Sequence, residues 1–82
     1  MELLEIGLGN LIAADRLIAV ISPSSAPAKR LIKQAGENNK LIDASSGRKT
    51  ESVIITDSDH VILSHLNTDR ILKLHESGKK DR

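Results

Sequence analysis

The first twenty residues alternate short apolar blocks with turn-forming residues, a pattern typical of β-strands. Residues 2–6 predict a short strand that ends at a glycine-rich turn over residues 7–10. The apolar, β-branched run over residues 11–21 is interrupted by the charged pair Asp15-Arg16. This run predicts either one long strand or two short strands with a bend near residues 14–15.

The following segment has the spacing of a helix rather than a strand. Its apolar positions recur three or four residues apart, at Ala28, Leu31, Ile32 and Ala35. Serines ahead of residue 26 and the proline at position 27 suit the start of a helix. Gly36 and the two asparagines that follow suit its end. We therefore predict a helix over residues 26–38.

Three further strands are predicted in the second half, over residues 40–44, 53–56 and 61–64. The sequence Ser-Ser-Gly at residues 45–47 predicts a hairpin turn between the first two, with Arg48-Lys49 at its exit. The last two strands are continuously apolar. That pattern indicates burial on both faces, by helices on one side and by another subunit or sheet on the other.

A second helix is predicted after these strands. Asn67 or Thr68 would cap it, and Leu66 would pack on Ile71 as a hydrophobic staple. We expect residues 78–82 to be a frayed basic tail and residues 1–77 to form a single domain. The predicted order is β-β-α-β-β-β-α, an α+β fold with a mainly antiparallel sheet and two helices.

Composition adds an expectation of self-association. The chain has 82 residues, no cysteine and no aromatic side chain, so its core must consist of small aliphatic residues. A core of this kind gives marginal stability at this length, and contact between subunits is the remaining way to bury more surface. Without cysteine the protein has no disulfide or thiolate metal site, which fits a reducing cytoplasm.

Charge is unevenly distributed, although the formal net charge is only +1. Residues 29–49 hold six lysines or arginines against two acidic residues. Residues 50–69 hold four acidic residues and no lysine or arginine. A domain with one basic side can bind a polyanion despite a small net charge. The chain shows no secretory signal and no apolar stretch long enough for a membrane span, so we expect a cytoplasmic protein without a membrane partner.

Two glycine-containing segments resemble nucleotide-binding motifs only superficially. The dinucleotide fingerprint would need a third glycine at position 12, where Ile12 stands, and a helix after it instead of the predicted strand. A phosphate-binding loop ending at Lys49 would need glycine where Arg48 and Asp43 stand. We therefore expect no nucleotide cofactor, and we interpret residues 7–10 as a plain turn.

The acidic segment over residues 57–60, Asp-Ser-Asp-His, allows a metal-binding or hydrolytic interpretation. Aspartate and serine are also the ordinary residues of a tight turn. His65 and His75 have no histidine one helical turn away, and no nucleophile, histidine and carboxylate occur at a suggestive spacing. We therefore expect no metal site, no catalytic residue and no enzyme activity.

Basic side chains are the remaining candidates for function. Arg16 interrupts an apolar run, where a charge is costly unless it is exposed or paired, for example with neighbouring Asp15. Lys29, Arg30 and Lys33 form a stripe along the first predicted helix, which is either a solvated outer face or a binding face. Arg48 and Lys49 stand at a predicted turn, where arginine can contact phosphates or base edges and lysine acts as a point charge.

Four collinear segments carry a resemblance to a known family. They are Ile-Gly-Leu-Gly-Asn at residues 6–10, the serine- and proline-rich stretch of residues 21–30, and residues 41–50 and 53–64. Together they make the chain resemble the RemA-type extracellular matrix regulatory proteins, over about residues 1–74 and without obvious gaps.

The resemblance implies a DNA-binding transcriptional regulator of biofilm matrix genes. It also implies a ring-like homo-oligomer, for example an octamer. The rim of the ring would present arginines to double-stranded DNA. The family's DNA-contacting positions fall on Arg16, Arg48 and Lys49, to which we add Arg30 and Lys33 from the basic stripe.

The chain departs from the family pattern mainly in its charges. Lys49 replaces an arginine, Glu51 stands at a usually basic position, and a serine at position 45 or 46 replaces an aromatic residue. Asp15 and Asp59 add negative charge. These departures favour weaker DNA binding or a different partner. The alternative function is a homo-oligomeric scaffold or interaction module without nucleic-acid binding.

Overall fold

A computed structural model describes the backbone of residues 2–80 and the side chains of residues 2–76. The chain forms strands β1 (Leu3–Gly7), β2 (Asn10–Ala13) and β3 (Leu17–Ile21), helix α1 (Ala26–Glu37), strands β4 (Leu41–Asp43), β5 (Ser52–Thr56) and β6 (Val61–Ser64), and helix α2 (Thr68–Lys80). Two helices and two mostly antiparallel sheets confirm the α+β class.

The run over residues 11–21 forms two strands, in agreement with the bent alternative. A short 3-10 turn, Ala14–Arg16, separates β2 from β3 and breaks the sheet between them. Strand β2 pairs with β1 in a two-stranded hairpin, whereas β3 pairs with β5 in a four-stranded sheet. One apolar run in the sequence therefore supplies strands to two different layers.

Both helices begin close to the predicted residues, and α1 also ends close to its predicted end. The Ser25 hydroxyl caps α1 by accepting the backbone N–H of Ala28 at 3.2 Å. The Asn67 side chain caps α2 by accepting the N–H of Arg70 at 2.8 Å. Helix α2 continues to Lys80, while Asp81 and Arg82 of the predicted tail lie outside the described residues. The division into a domain and a tail stays a prediction.

The predicted hairpin at residues 45–47 is wrong. Strand β4 pairs in parallel with β6, with Ile42 opposite Ile62, and β6 lies between β4 and β5. The turn residues do reverse the chain, but residues 44–51 cross the end of β6 before β5 begins. Strand β6 is almost fully buried and takes a central position, whereas the three-residue β4 is suited to a sheet edge.

Both faces of the central strands β5 and β6 are buried, as their continuous apolar sequences predict. Val53 and Val61 pack against Ala28 and Ala35 of α1 on one face. On the opposite face, β5 and β6 pack against the β1–β2 hairpin and α2 through Ile54, Ile62, Leu4, Ile6 and Ile71. The helices therefore lie on opposite faces, not on one side as predicted, and this chain's own hairpin supplies the second sheet.

The glycine-rich turn after β1 serves the packing of the hairpin. Leu8 and Gly9 both have positive φ, 57° and 80°, which is the geometry of a tight two-residue hairpin turn. Gly7, at the base of the turn, has φ 107°, and a β-carbon there would lie 2.5 Å from Cε1 of His65. Residues 7–10 therefore form the predicted turn, and it joins β1 to β2.

Gly7→Ala should therefore destabilise the protein more than Gly9→Ala. Both positions have positive φ, but a β-carbon at Gly9 would meet nothing within 4 Å, so Gly9→Ala isolates the backbone cost. That cost is of the order of 1–3 kcal/mol, and the clash with His65 adds to it in Gly7→Ala. Urea unfolding measures both free energies, and equal losses would contradict the clash.

Candidate nucleic-acid interface

Arg16 is the last residue of the 3-10 turn that joins the two layers. Its side chain is 59% exposed, and its Nε donates to both carboxylate oxygens of Asp57, at 2.8 and 2.9 Å. The exposed alternative is confirmed, and the hydrogen-bonding partner is Asp57, 41 residues away in the sequence, instead of neighbouring Asp15. The hydrogen bond and the charge of Asp57 raise the pKa of Arg16, so the guanidinium remains charged.

The turn that carries Asp57 is tied together by hydrogen bonds. The Ser58 hydroxyl lies 3.0 Å from the Thr56 hydroxyl and 2.7 Å from Nδ1 of His60. The backbone N–H of Asp59 donates to the carbonyl of Thr56 at 3.2 Å. Lys40, which directly precedes β4, donates from Nζ to the Ser58 carbonyl at 3.3 Å. These contacts fix the shape of the turn.

The metal interpretation of this turn finds little support in its geometry. Both carboxylate oxygens of Asp57 accept a hydrogen bond from Arg16, and Nδ1 of His60 is hydrogen-bonded to the Ser58 hydroxyl. Among the residues that the structure describes, no three histidine, aspartate or glutamate side chains are placed to hold a metal ion together. The turn instead contacts Arg16 through the carboxylate of Asp57.

Arg48 and Lys49 lie in the loop over residues 44–51, and both are exposed. The base of this loop is anchored by Ser45, which is buried and donates its backbone N–H and its hydroxyl to the Asp43 carboxylate. The backbone N–H of Arg48 donates to the Ser45 carbonyl at 3.0 Å. Within the described part of the chain, neither cation has an ion pair or a side-chain hydrogen bond.

The basic stripe of α1 begins at the same end of the sheet as this loop. Ile21, the last residue of β3, is opposite Val53 near the start of β5, and α1 follows from there. Lys29 and Arg30 lie in the first part of the helix and Lys33 about one turn further on. All three are exposed.

The structure does not bring Arg16 together with Arg48 and Lys49 within the chain. Arg16 precedes Leu17, which is opposite Thr56 at the far end of β5. Lys49 comes shortly before Ser52, the first residue of β5. The two groups of cations therefore lie at opposite ends of this strand, whose five residues span about 13 Å.

Sequence analysis missed Asp57 as part of the candidate site. Its position in a turn gave a sufficient local explanation, and nothing near it in the sequence indicates an arginine partner. Only the antiparallel pairing of β3 with β5 places the two residues side by side. Charged residues at the ends of two strands indicate an ion pair only when it is known that the two strands are neighbours in the sheet.

Comparisons with known proteins assign the chain to a class of bacterial regulatory proteins. The family of extracellular matrix regulatory protein A-like (RemA-like) proteins matches residues 3–74. The chain therefore belongs to the RemA-like family, as the resemblance indicated. In the part of the chain that the structure describes, no helix is long and apolar enough to cross a membrane.

Similar proteins from several bacteria extend over nearly the whole chain. Proteins named "Putative regulatory protein" from Clostridium kluyveri and Syntrophobacter fumaroxidans are 50% and 51% identical to it. In both cases the match covers 99% of this chain, and it covers 89% and 88% of the relatives. A relative from Oceanobacillus iheyensis is 52% identical, over 87% of this chain and 83% of its own length. All three relatives are named as regulatory proteins.

The anchor of the 44–51 loop should respond to pH. Hydrogen bonds from the Ser45 hydroxyl and backbone N–H lower the pKa of Asp43. A lowered pKa in the folded state stabilises the fold above the ordinary aspartate range, and this contribution is lost as the pH falls through the folded pKa. Ser45→Ala should shift the Asp43 pKa back towards its ordinary value, because only the backbone donor remains. NMR titration of the carboxyl carbon measures the shift, and an unchanged pKa would contradict the assigned cause.

Proposed function

We propose that this protein is a DNA-binding transcriptional regulator that acts as a ring-like homo-oligomer in the cytoplasm. Membership of the RemA-like family supports a regulatory role, and the resemblance described above suggests biofilm matrix genes as the regulated set. The proposed contacts to double-stranded DNA are made by Arg16, Arg48 and Lys49, with Arg30 and Lys33 as additional cations.

The exposed pair Arg48-Lys49 is the observation that carries this proposal. Both cations project from a loop whose base is held by a buried serine, and neither is neutralised by a side chain within the described residues. Cations without a protein partner are available to phosphates, and binding of phosphates releases the counterions condensed on DNA. An anchored loop also loses less conformational freedom when it binds.

Assembly explains how separated cations can act on one duplex. Arg16 lies at one end of β5 and Arg48 at the other, so a single protomer presents two small groups of charge instead of one surface. In a head-to-tail ring, Arg16 of one protomer would come near Arg48 and Lys49 of the next. Repetition of this composite site along one duplex would raise affinity through effective concentration.

The edge strand β3 is the proposed contact between protomers. It is an outer strand of the four-stranded sheet, its five residues are all apolar, and Ile18 is 64% exposed. An apolar edge strand with unpaired backbone groups tends to pair with another chain. Its coverage by a second copy would also bury surface that an aromatic-free core leaves exposed.

A second candidate function is a homo-oligomeric scaffold that does not bind DNA. Exposed acidic residues beside the proposed contacts favour it: Asp15 adjoins Arg16, and Glu51 follows Lys49 by two residues. These carboxylates would repel phosphates at close range. Under this alternative the protein assembles in the same way, but it does not shift duplex DNA at any salt concentration.

Arg48→Ala should weaken binding to a duplex and leave thermal unfolding nearly unchanged. The side chain is exposed and unpaired in the described structure, and substitutions at such positions usually change stability by about 0.5 kcal/mol or less. Removal of one phosphate interaction from each protomer should reduce the log–log salt slope by roughly one unit for every protomer that contacts the duplex. A titration by fluorescence anisotropy at several salt concentrations measures affinity and slope.

Arg70→Ala is the matched control, because it removes the same charge from an exposed position on α2, outside the proposed contacts. It should retain the wild-type salt slope. If both variants lose affinity equally, only the net charge matters and the Arg48-Lys49 site is wrong. If wild-type protein binds no duplex at all, the scaffold function replaces the proposed one.

Ile18→Lys should break the assembly and weaken DNA binding, even though it adds a cation. A lysine in the proposed interface would leave a charge in an apolar contact, which is costly. In a protein that binds DNA as a monomer, the same lysine would strengthen binding. Light scattering gives the mass, circular dichroism checks the fold, and Ile18→Val serves as the apolar control. A folded monomer with full affinity would contradict the role of assembly.

A further inference from the structure

We propose that Asp57 is a positioning residue for DNA binding: it orients the Arg16 guanidinium towards phosphates or base edges. This inference rests on the proposed function. Asp57 is negatively charged and would repel DNA in direct contact. Its carboxylate forms an exposed ion pair that joins the turn after β5 to the 3-10 turn.

The geometry of the ion pair leaves most of the guanidinium available. Asp57 accepts only the Nε–H of Arg16, through both carboxylate oxygens at 2.8 and 2.9 Å. Within the described residues, the two terminal amino groups of Arg16 have no hydrogen-bond partner. Those groups form the planar fork that binds phosphate, or the O6 and N7 atoms of guanine, with two parallel hydrogen bonds.

Asp57 can hold the Arg16 side chain in place because a backbone hydrogen bond joins the two residues. The N–H of Asp57 donates to the Arg16 carbonyl at 2.9 Å, directly beyond the Leu17–Thr56 pair of the β3–β5 ladder. Thr56 is buried, and its hydroxyl contacts that of Ser58. Both ends of the ion pair are therefore attached to paired strands.

Folding stability does not account for this ion pair. Both side chains are about half exposed, at 59% for Arg16 and 48% for Asp57, and ion pairs in water add little to stability. A long arginine side chain, however, loses much conformational freedom when it binds a ligand. Asp57 restricts that freedom before DNA arrives, so less is lost on binding.

The same turn provides a matched control. Asp59 is exposed and makes no hydrogen bond or ion pair with Arg16 among the described residues, yet it adds the same charge two positions away. Its φ of 66° is a conformation that asparagine tolerates well, so Asp59→Asn should preserve the turn. If charge alone mattered, Asp57→Asn and Asp59→Asn would both strengthen binding to DNA.

The test is a double-mutant cycle with a labelled mixed-sequence duplex, using the full chain. Asp57→Asn should weaken binding roughly three- to tenfold, whereas Asp59→Asn should leave it unchanged or strengthen it slightly. In the Arg16→Ala background, Asp57→Asn should have no further weakening effect, because Asp57 acts only through Arg16. A role in folding alone would weaken binding to the same extent in both backgrounds.

A second measurement needs no DNA. In wild-type protein the Nε–H of Arg16 should exchange slowly with water and be visible by NMR, and Asp57→Asn should speed its exchange while Asp59→Asn does not. Identical exchange in all three proteins would overturn the inference.

The binding results separate the inference from the proposed function. If Arg16→Ala weakens binding and Asp57→Asn strengthens it, Asp57 acts as a repulsive charge and this inference alone is overturned. If Arg16→Ala binds like wild type, the assignment of Arg16 to the DNA contact fails, and the role of Asp57 fails with it.

Discussion

The burial of β5 and β6 on both faces is the constraint on which the rest of this structure depends. Val53 and Ile54 are adjacent in sequence, point to opposite faces and are both fully buried. A chain of 82 residues must therefore supply two covers for one small sheet. Helix α1 forms one cover, and the β1–β2 hairpin with α2 forms the other.

Because both faces of the central strands are occupied, charged residues are left to the ends and edges of the sheet. Arg16 and its partner Asp57 lie at one end of β5, and the loop with Arg48 and Lys49 lies at the other. Strand β3, at an edge, keeps the apolar side chain of Ile18 exposed. This arrangement favours a function at surfaces that repeat in an assembly over one in an enclosed pocket.

The exposed ion pair shows how a small domain can position a cation without a large core. Arg16 lies in an exposed 3-10 turn, and its Nε donates to a carboxylate across a strand pair. Elsewhere, hydrogen bonds from buried serines also join distant segments of the chain. Ser52 donates to the Leu66 carbonyl and Ser64 to that of Ile6, which ties the layers together without aromatic contacts.

The sequence by itself determined the local elements, because helix spacing, capping residues and turn residues act over a few positions. Both helices, both caps, the turn over residues 7–10 and the two-sided burial of the central strands were predictable in this way. Only the tertiary structure decided that β6 lies between β4 and β5, that the helices take opposite faces, and that Arg16 pairs with Asp57. These features depend on contacts between distant segments, and the apolar pattern of each segment is compatible with several neighbours.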